Sequence, residues 1–182
     1  MNVRTLCLAI LYDGEASGYE IRKLSTEGKY AYFVEASFGA IYPALARLED
    51  DGLVTSRVEV QEGRPAKKVY AITQKGRNAL FDALHEPLRE DVFRSEFLLF
   101  ARFAGELPAS LVETRSNTRL QTIEDDIAGL TEILEKKTHA GDAWVVRFGL
   151  ACLEAARGHM CKHMAELVGM ARDDSRTDAA AE

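Results

Sequence analysis

The sequence predicts a mainly α-helical protein in which one β-hairpin follows the third helix and further helices fill the C-terminal half. Two observations carry this. The apolar period drops from about 3.6 residues to 2 just after Gly52, and a loop holding Gly63 and Pro65 separates two alternating stretches.

The elements follow in chain order. Val3 to Tyr12 is apolar and helix-like, with Leu6, Ile10 and Leu11 able to share a face. Residues 13–18 read as a turn. Tyr19 to Glu27 is a short second helix with Ile21 and Leu24 inward, ended by Gly28. Ser37 is placed to cap a third helix, in which Ile41, Leu45 and Leu48 recur at i, i+4 and i+7. Gly52, after Glu49, Asp50 and Asp51, suits the residue that closes it. Val54, Ser56, Val58 and Val60 then alternate with Thr55, Arg57 and Glu59, and Lys68, Tyr70 and Ile72 alternate with Val69 and Ala71. Thr73 caps a helix over roughly 74–85. Two strands do not stand alone. Packed on the three-helix unit, they make a winged helix-turn-helix.

Pro87 marks a junction. A helix is expected from Leu88 to Ala104, its Phe93, Phe97, Phe100 and Phe103 spaced by four and three residues. After a break at 105–108 come a long helix over about 109–137 and a last one over about 142–171. Leu120, Ile123, Ile127, Leu130 and Leu134 stripe the first; Val145, Phe148, Leu153, Met160, Met164 and Leu167 populate the second. These stripes exceed what one short antiparallel pair can bury, so the expectation is a homodimer built by the C-terminal helices. The organisation is then a winged-helix domain over 1–86, a helical dimerisation domain over 87–172 and a disordered tail over 173–182.

Charge narrows the function. The chain carries a net charge of −6, yet residues 57–77 hold six basic residues against two acidic ones (Glu59 and Glu62). DNA responds to the local field of the face it meets. No run approaches the roughly 18 apolar residues of a membrane span, and the N-terminus lacks a leader's apolar core, so the expected place is the cytoplasm, with no membrane partner. Cys7, Cys152 and Cys161 have no paired spacing and read as small buried residues.

The third helix carries the main functional signal. At 100° per residue, Leu45 and Leu48 fall within about 40° of Ile41, while Gly39, Pro43 and Ala46 lie opposite. Small side chains let a helix press into a DNA major groove, and Tyr42 and Arg47 flank that face within reach of phosphates. Pro43 strengthens the reading, because proline is disfavoured inside a helix and a broken local rule at an exposed position often marks function. The wing adds Arg64, Lys67 and Lys68, suited to phosphates or the adjacent minor groove.

These residues resemble a family. Gly18-Tyr19-Glu20, the run from Ser37 to Glu49 with its Tyr42-Pro43-Ala44-Leu45, Gly52-Leu53-Val54, Gly63-Arg64-Pro65, Lys67-Lys68-Val69-Tyr70 and Thr73-Gln74-Lys75-Gly76 are similar to the PadR transcription regulators over about residues 3–85. The resemblance implies a winged helix-turn-helix, a dimer made by C-terminal helices, and repression relieved by a small molecule. It implies DNA contacts from Ser37, Ala40, Tyr42 and Arg47, and from Arg64, Lys67 and Lys68 on the wing; Tyr19 and Pro43 are expected to contact DNA beside them.

Other constellations are weaker. Phe93, Phe97 and Phe100 either wall an effector pocket or simply pack, and Trp144 offers either an interface anchor or an effector-stacking ring. His159 and His163, at i and i+4 near Cys152 and Cys161, suggest a metal, but a dimer-helix stripe with polar interruptions is preferred. No cofactor, metal or catalytic constellation is expected, so the chain is not read as an enzyme. The rival to a DNA-binding regulator is a winged-helix protein-interaction module without DNA binding.

Overall fold

A computed structural model describes residues 2–26, 30, 33, 39–61, 64–136 and 139–173, with backbone alone at 26, 61, 64 and 65. The chain forms two compact units, Met1–Asp91 and Val92–Glu182.

In the first unit, α1 (Val3–Asp13) starts where the Asn2 side chain accepts the Thr5 amide, and buries Leu6, Cys7, Ile10 and Leu11. The stretch expected to be only a turn contains a short strand, β1 (Ala16–Ser17), which leads directly into α2 (Gly18–Thr26). Ser17 and Glu20 form a reciprocal cap. The Ser17 amide donates to Glu20 Oε2 at 2.7 Å, and the Glu20 amide donates to Ser17 Oγ at 3.3 Å. This Ser-x-x-Glu box satisfies donors that the start of a helix leaves orphaned. The expected stop at Gly28 lies outside the described residues.

Helix α3 (Ile41–Asp50) is shorter than the sequence suggested. Gly39 and Ala40 form a turn before it, and Ser37 lies outside the described residues. Its end follows the expectation. Gly52 takes φ +70°, the left-handed region open to glycine. The Gly52 amide bonds to the Glu49 carbonyl at 2.9 Å and the Leu53 amide to the Leu48 carbonyl at 2.8 Å, a Schellman closure.

Strands β2 (Val54–Gln61) and β3 (Arg64–Ile72) are longer than the alternation alone indicated, leaving only residues 62–63 between them. Pro65 therefore belongs to a strand and not to the loop. Pairing runs Glu59 with Lys67 and Gln61 with Arg64, so the register slips by one residue around Pro65 and Ala66. A bulge suits a proline, which has no amide to give the ladder. The sheet order is β1-β3-β2. Helix α4 (Gln74–His85) is capped by Thr73, as expected, with the Gly76 amide donating to Thr73 Oγ1 at 3.0 Å. Ile21, Ile41, Leu45, Leu48, Val54, Tyr70 and Leu80 join the α1 residues in one core. This is a winged helix-turn-helix.

In the second unit, the long helix expected from Leu88 is not formed. Residues 87–95 are irregular and only α5 (Glu96–Arg102) is helical. The reason is local: Ser95 Oγ accepts the Leu98 amide at 3.2 Å, so Ser95 acts as an N-cap and the helix begins after it. A 3₁₀ turn (Ala104–Glu106) leads to α6 (Ala109–Glu135), and α7 (Ala140–Gly169) returns antiparallel to it. The ends are stitched, since the Arg172 amide donates to Leu107 O and the Ala109 amide to Arg172 O, each at 2.9 Å. Val112, Ile123 and Met160 are buried between the long helices. Among the described residues no helix is long and apolar enough to cross a membrane.

Cysteine burial departs from expectation. Cys7 is buried, and burial pushes its thiol up to about 12. Cys152 and Cys161 are exposed on α7, whose inner face is a narrow stripe that neither residue joins. The His159 and His163 rings stack at 4.7 Å. Among the described residues no three side chains are grouped to hold a metal.

Candidate nucleic-acid interface

Helix α3 divides cleanly by face. Ile41, Ala44, Leu45 and Leu48 are buried, while Tyr42, Pro43, Ala46 and Arg47 are exposed. Gly39 precedes the helix and does not belong to that face. Pro43 is the third helical residue, and the first α-helical bond is Ala44 N to Ala40 O at 3.1 Å. Its missing amide is thus one that the first turn leaves unpaired anyway. No local rule is broken, so Pro43 loses its value as a sign of function and keeps only its exposed, compact shape.

Tyr42 is 49% exposed and its ring lies against Gly18. A Cβ on Gly18 would stand 2.8 Å from Tyr42 Cε1. The α2 start thereby sets where the Tyr42 hydroxyl goes. Tyr19, also exposed, is covered by the Arg22 guanidinium at 5.1 Å from its centroid, which places an aromatic face and a cation together on α2. Arg22 has no signal in the sequence pattern, and Gly18 enters there only as part of the Gly18-Tyr19-Glu20 motif. The Ser17-x-x-Glu20 box was the available signal, because it fixes α2 one residue earlier than periodicity did.

Lys67, Lys68 and Arg57 of the wing are held by acids, and the Arg64 side chain lies outside the described residues. Lys68 Nζ lies 2.6 Å from Glu49 Oε2, and Ser56 Oγ donates to Glu49 Oε1 at 2.5 Å. These contacts hold the Glu49 carboxyl below the usual carboxylate range and push the Lys68 ammonium up. Lys67 sits 3.5 Å from Glu59, and Arg57 bridges Glu15 at 2.6 Å and Glu59 at 2.9 Å. Each partner is substantially exposed, and exposed pairs contribute about 0–1 kcal/mol. Phosphate can therefore take over these cations at little cost. The bonds from Ser17 to Glu20, followed by the field of Lys67, depress the Glu20 pKa.

In the second unit a cavity of about 550 Å³ opens among Phe97, Leu98, Ile123, Met160, Met164 and Leu167, with Arg119, His159, His163 and Glu166 as its polar lining. Phe93, outside any helix and 82% exposed, also lines it. Phe100 packs beside Phe97 at 6.3 Å without joining that lining. Trp144 stands apart from the cavity, 63% exposed and stacked on Phe148 at 5.9 Å.

With this geometry in view, comparison with known proteins identifies the family. The description "Transcriptional regulator PadR-like family" matches residues 7–82. The negative transcriptional regulator PadR of Bacillus subtilis (strain 168) is 34% identical over 131 residues, 71% of each chain. The chain belongs to the PadR-like family of transcriptional regulators. Similarity to solved structures extends beyond the winged helix. The smu.1604c protein of Streptococcus mutans UA159 superposes with a TM-score of 0.78 at 31% identity, covering 91% of this chain and 99% of that one. Bacillus subtilis PadR in complex with operator DNA gives a TM-score of 0.70 at 27% identity over 90% and 98%. The same protein in complex with p-coumaric acid gives 0.63 at 25% identity over 91% and 99%. The present chain is thus a PadR-like transcriptional regulator rather than an enzyme.

Proposed function

We propose that this PadR-like chain acts as a homodimeric repressor on an inverted-repeat operator and lets go when a small aromatic acid binds. The observation that carries the DNA half is the exposed face of α3, small at Pro43 and Ala46 and flanked by Tyr42 and Arg47, beside a basic wing. Such a face fits a major groove, with Tyr42 and Arg47 on phosphates. Tyr19 joins them from α2, and Ala40 and Ser37 precede the helix. Arg64, Lys67 and Lys68 serve the flanking backbone. Repression and effector release draw support from the Bacillus subtilis relative, named a negative regulator and solved with operator DNA and with p-coumaric acid.

The effector's place in this reading is the cavity walled by Phe97 and Met160, with Phe93 at its edge and Arg119 available to a carboxylate. The dimer draws on the exposed apolar side chains of the second unit, among them Leu98, Leu99, Phe103, Trp144 and Phe148. A chain that meets DNA works inside the cell.

The test is to sequence genomic fragments retained by the purified protein, then footprint the best of them with and without p-coumaric acid. An inverted repeat protected by a dimer, and released by the acid, is the expected result. Ala46→Leu should abolish that footprint while the melting temperature holds, because the site is exposed. Retention of no fragment at low salt would return the chain to the protein-interaction reading.

A further inference from the structure

The same face of β2 changes character along its length. Val54 is buried at the base, and Ser56 is half-buried against Glu49 of α3. Val58 and Val60 continue that face outward and are 67% and 86% exposed. Single exposed valines are ordinary. Here, two stand in sequence on the side that α3 closes, on a hairpin whose segment 57–68 holds four basic residues against two acidic ones. Val58 pairs across the ladder with Lys68, and Val60 lies at the bulge between the Glu59–Lys67 and Gln61–Arg64 pairs. An apolar pair that shares its face with Lys68, on a hairpin of net positive charge, calls for a surface that is both anionic and apolar. The sugar–phosphate wall of DNA offers phosphate charge with deoxyribose carbon between, and proteins place much of their contact on phosphate and sugar.

Resting on the DNA-binding reading above, we propose that Val58 and Val60 are DNA-contact residues that pack on deoxyribose, so that the wing holds the operator by apolar as well as ionic contact.

The experiment compares full-length wild type, Val58→Ala with Val60→Ala, and Lys67→Ala on the footprinted operator over a salt series. Burying the removed methyl groups only in the complex predicts roughly tenfold weaker binding for the valine pair. Apolar contact releases no counterions, so the slope of log affinity against log salt stays at the wild-type value. Lys67→Ala flattens it by roughly one unit per lost phosphate contact. Melting temperatures and light scattering accompany each measurement. A variant with Val58→Thr and Val60→Thr keeps the β-branched shape and is read by the same criteria if the alanine pair does not fold. Wild-type affinity in the valine variants overturns the proposal. So does a weakened complex with a flattened slope, or a change in oligomeric size, which assigns the valines to a second copy. A wild type that binds no DNA sinks the underlying reading instead, and the two failures are therefore distinct.

Discussion

Gly18→Ala separates binding from stability by sign. An alanine Cβ would stand 2.8 Å from Tyr42 Cε1, whereas ordinary contact begins at 3.4 Å, so the ring must retreat by about 0.6 Å. The ring is half-exposed and can swing into solvent, so the fold loses little. Gly18 has no positive φ that alanine would resist. Replacing a glycine at a compatible position stabilises by about 0.4–1 kcal/mol through the unfolded chain. For a unit of this size that is a rise of a few degrees in melting temperature, or no change once the displaced ring is counted. Binding goes the other way. A lost hydrogen bond to a charged phosphate removes about 1.5 kcal/mol, roughly tenfold, at each half-site. A dimer that loses both weakens by roughly a hundredfold. Gel shift on the operator and thermal melts in one buffer give both signs. Operator affinity within twofold of wild type would show that Tyr42 does not touch DNA where Gly18 puts it.

Three further outcomes follow from the same contacts. Gly76→Ala brings a Cβ to 2.1 Å from Leu53 O, the carbonyl that also accepts from Thr73 N and Oγ1. Overpacking on backbone should cost about 3 kcal/mol and lower the melting temperature by roughly 10 °C or more; a melt within 2–3 °C of wild type would mean α4 is not seated there. Glu20 has a folded pKa below its ordinary value of 4.5, so its stabilisation is fully present above that value and lost as pH falls through the folded pKa. Melts of wild type and Glu20→Gln should therefore differ at pH 7 and converge as the pH falls below the folded pKa, and a gap unchanged down to the lowest pH at which the protein stays folded refutes the assignment to the charged form. Cys7, buried with its thiol near 12, should resist alkylation at pH 8 in the native protein while unfolding exposes it; native labelling of Cys7 at the unfolded rate would contradict its burial.

The sequence was most legible where one physical rule acted alone. Gly52 ended α3 and Thr73 began α4 because a left-handed residue and a side-chain cap have few alternatives. The period change located both wing strands. Reading failed where two signals competed. The phenylalanine spacing from Phe93 to Phe103 fits a helix, but Ser95 captures the Leu98 amide and starts it later. Ala16 and Ser17 read as part of a turn, yet their β1 pairing with Tyr70 and Val69 and the bond from Ser17 to Glu20 are tertiary and local facts that act together. Pro43 bears no strain, because α3 begins at Ile41, later than a Ser37 cap implies, and leaves the proline in the first turn. Of the interface, the α3 face was readable from periodicity. The acid partners of Lys67 and Lys68 were not, since Glu49 meets Lys68 only through the fold.

Apolar burial is divided unevenly between the two units, and that division leads to a test of Trp144. The first unit closes a core around α1. The second buries few apolar side chains, and the α6 stripe residues Leu120, Ile127, Leu130 and Leu134 are partly exposed. More open are Leu98, Leu99, Phe103 and Trp144, with Phe148 and Val145 of the α7 stripe. A stacked Trp144–Phe148 pair exposed to water is costly in isolation and is the kind of aromatic anchor that interfaces bury. Because the chain has one tryptophan, its emission reports this spot alone. If Trp144 anchors the dimer, dilution through the dissociation range should shift the emission to the red in step with the loss of dimer by light scattering. Trp144→Ala should raise the dimer dissociation constant by tenfold or more, the scale of about 2 kcal/mol expected of a central anchor. If the ring instead stacks on an effector, dilution leaves the emission unchanged and p-coumaric acid quenches it. An emission that responds to neither would leave the Trp144–Phe148 pair with only its own stacking to explain it, and would move the interface to α5.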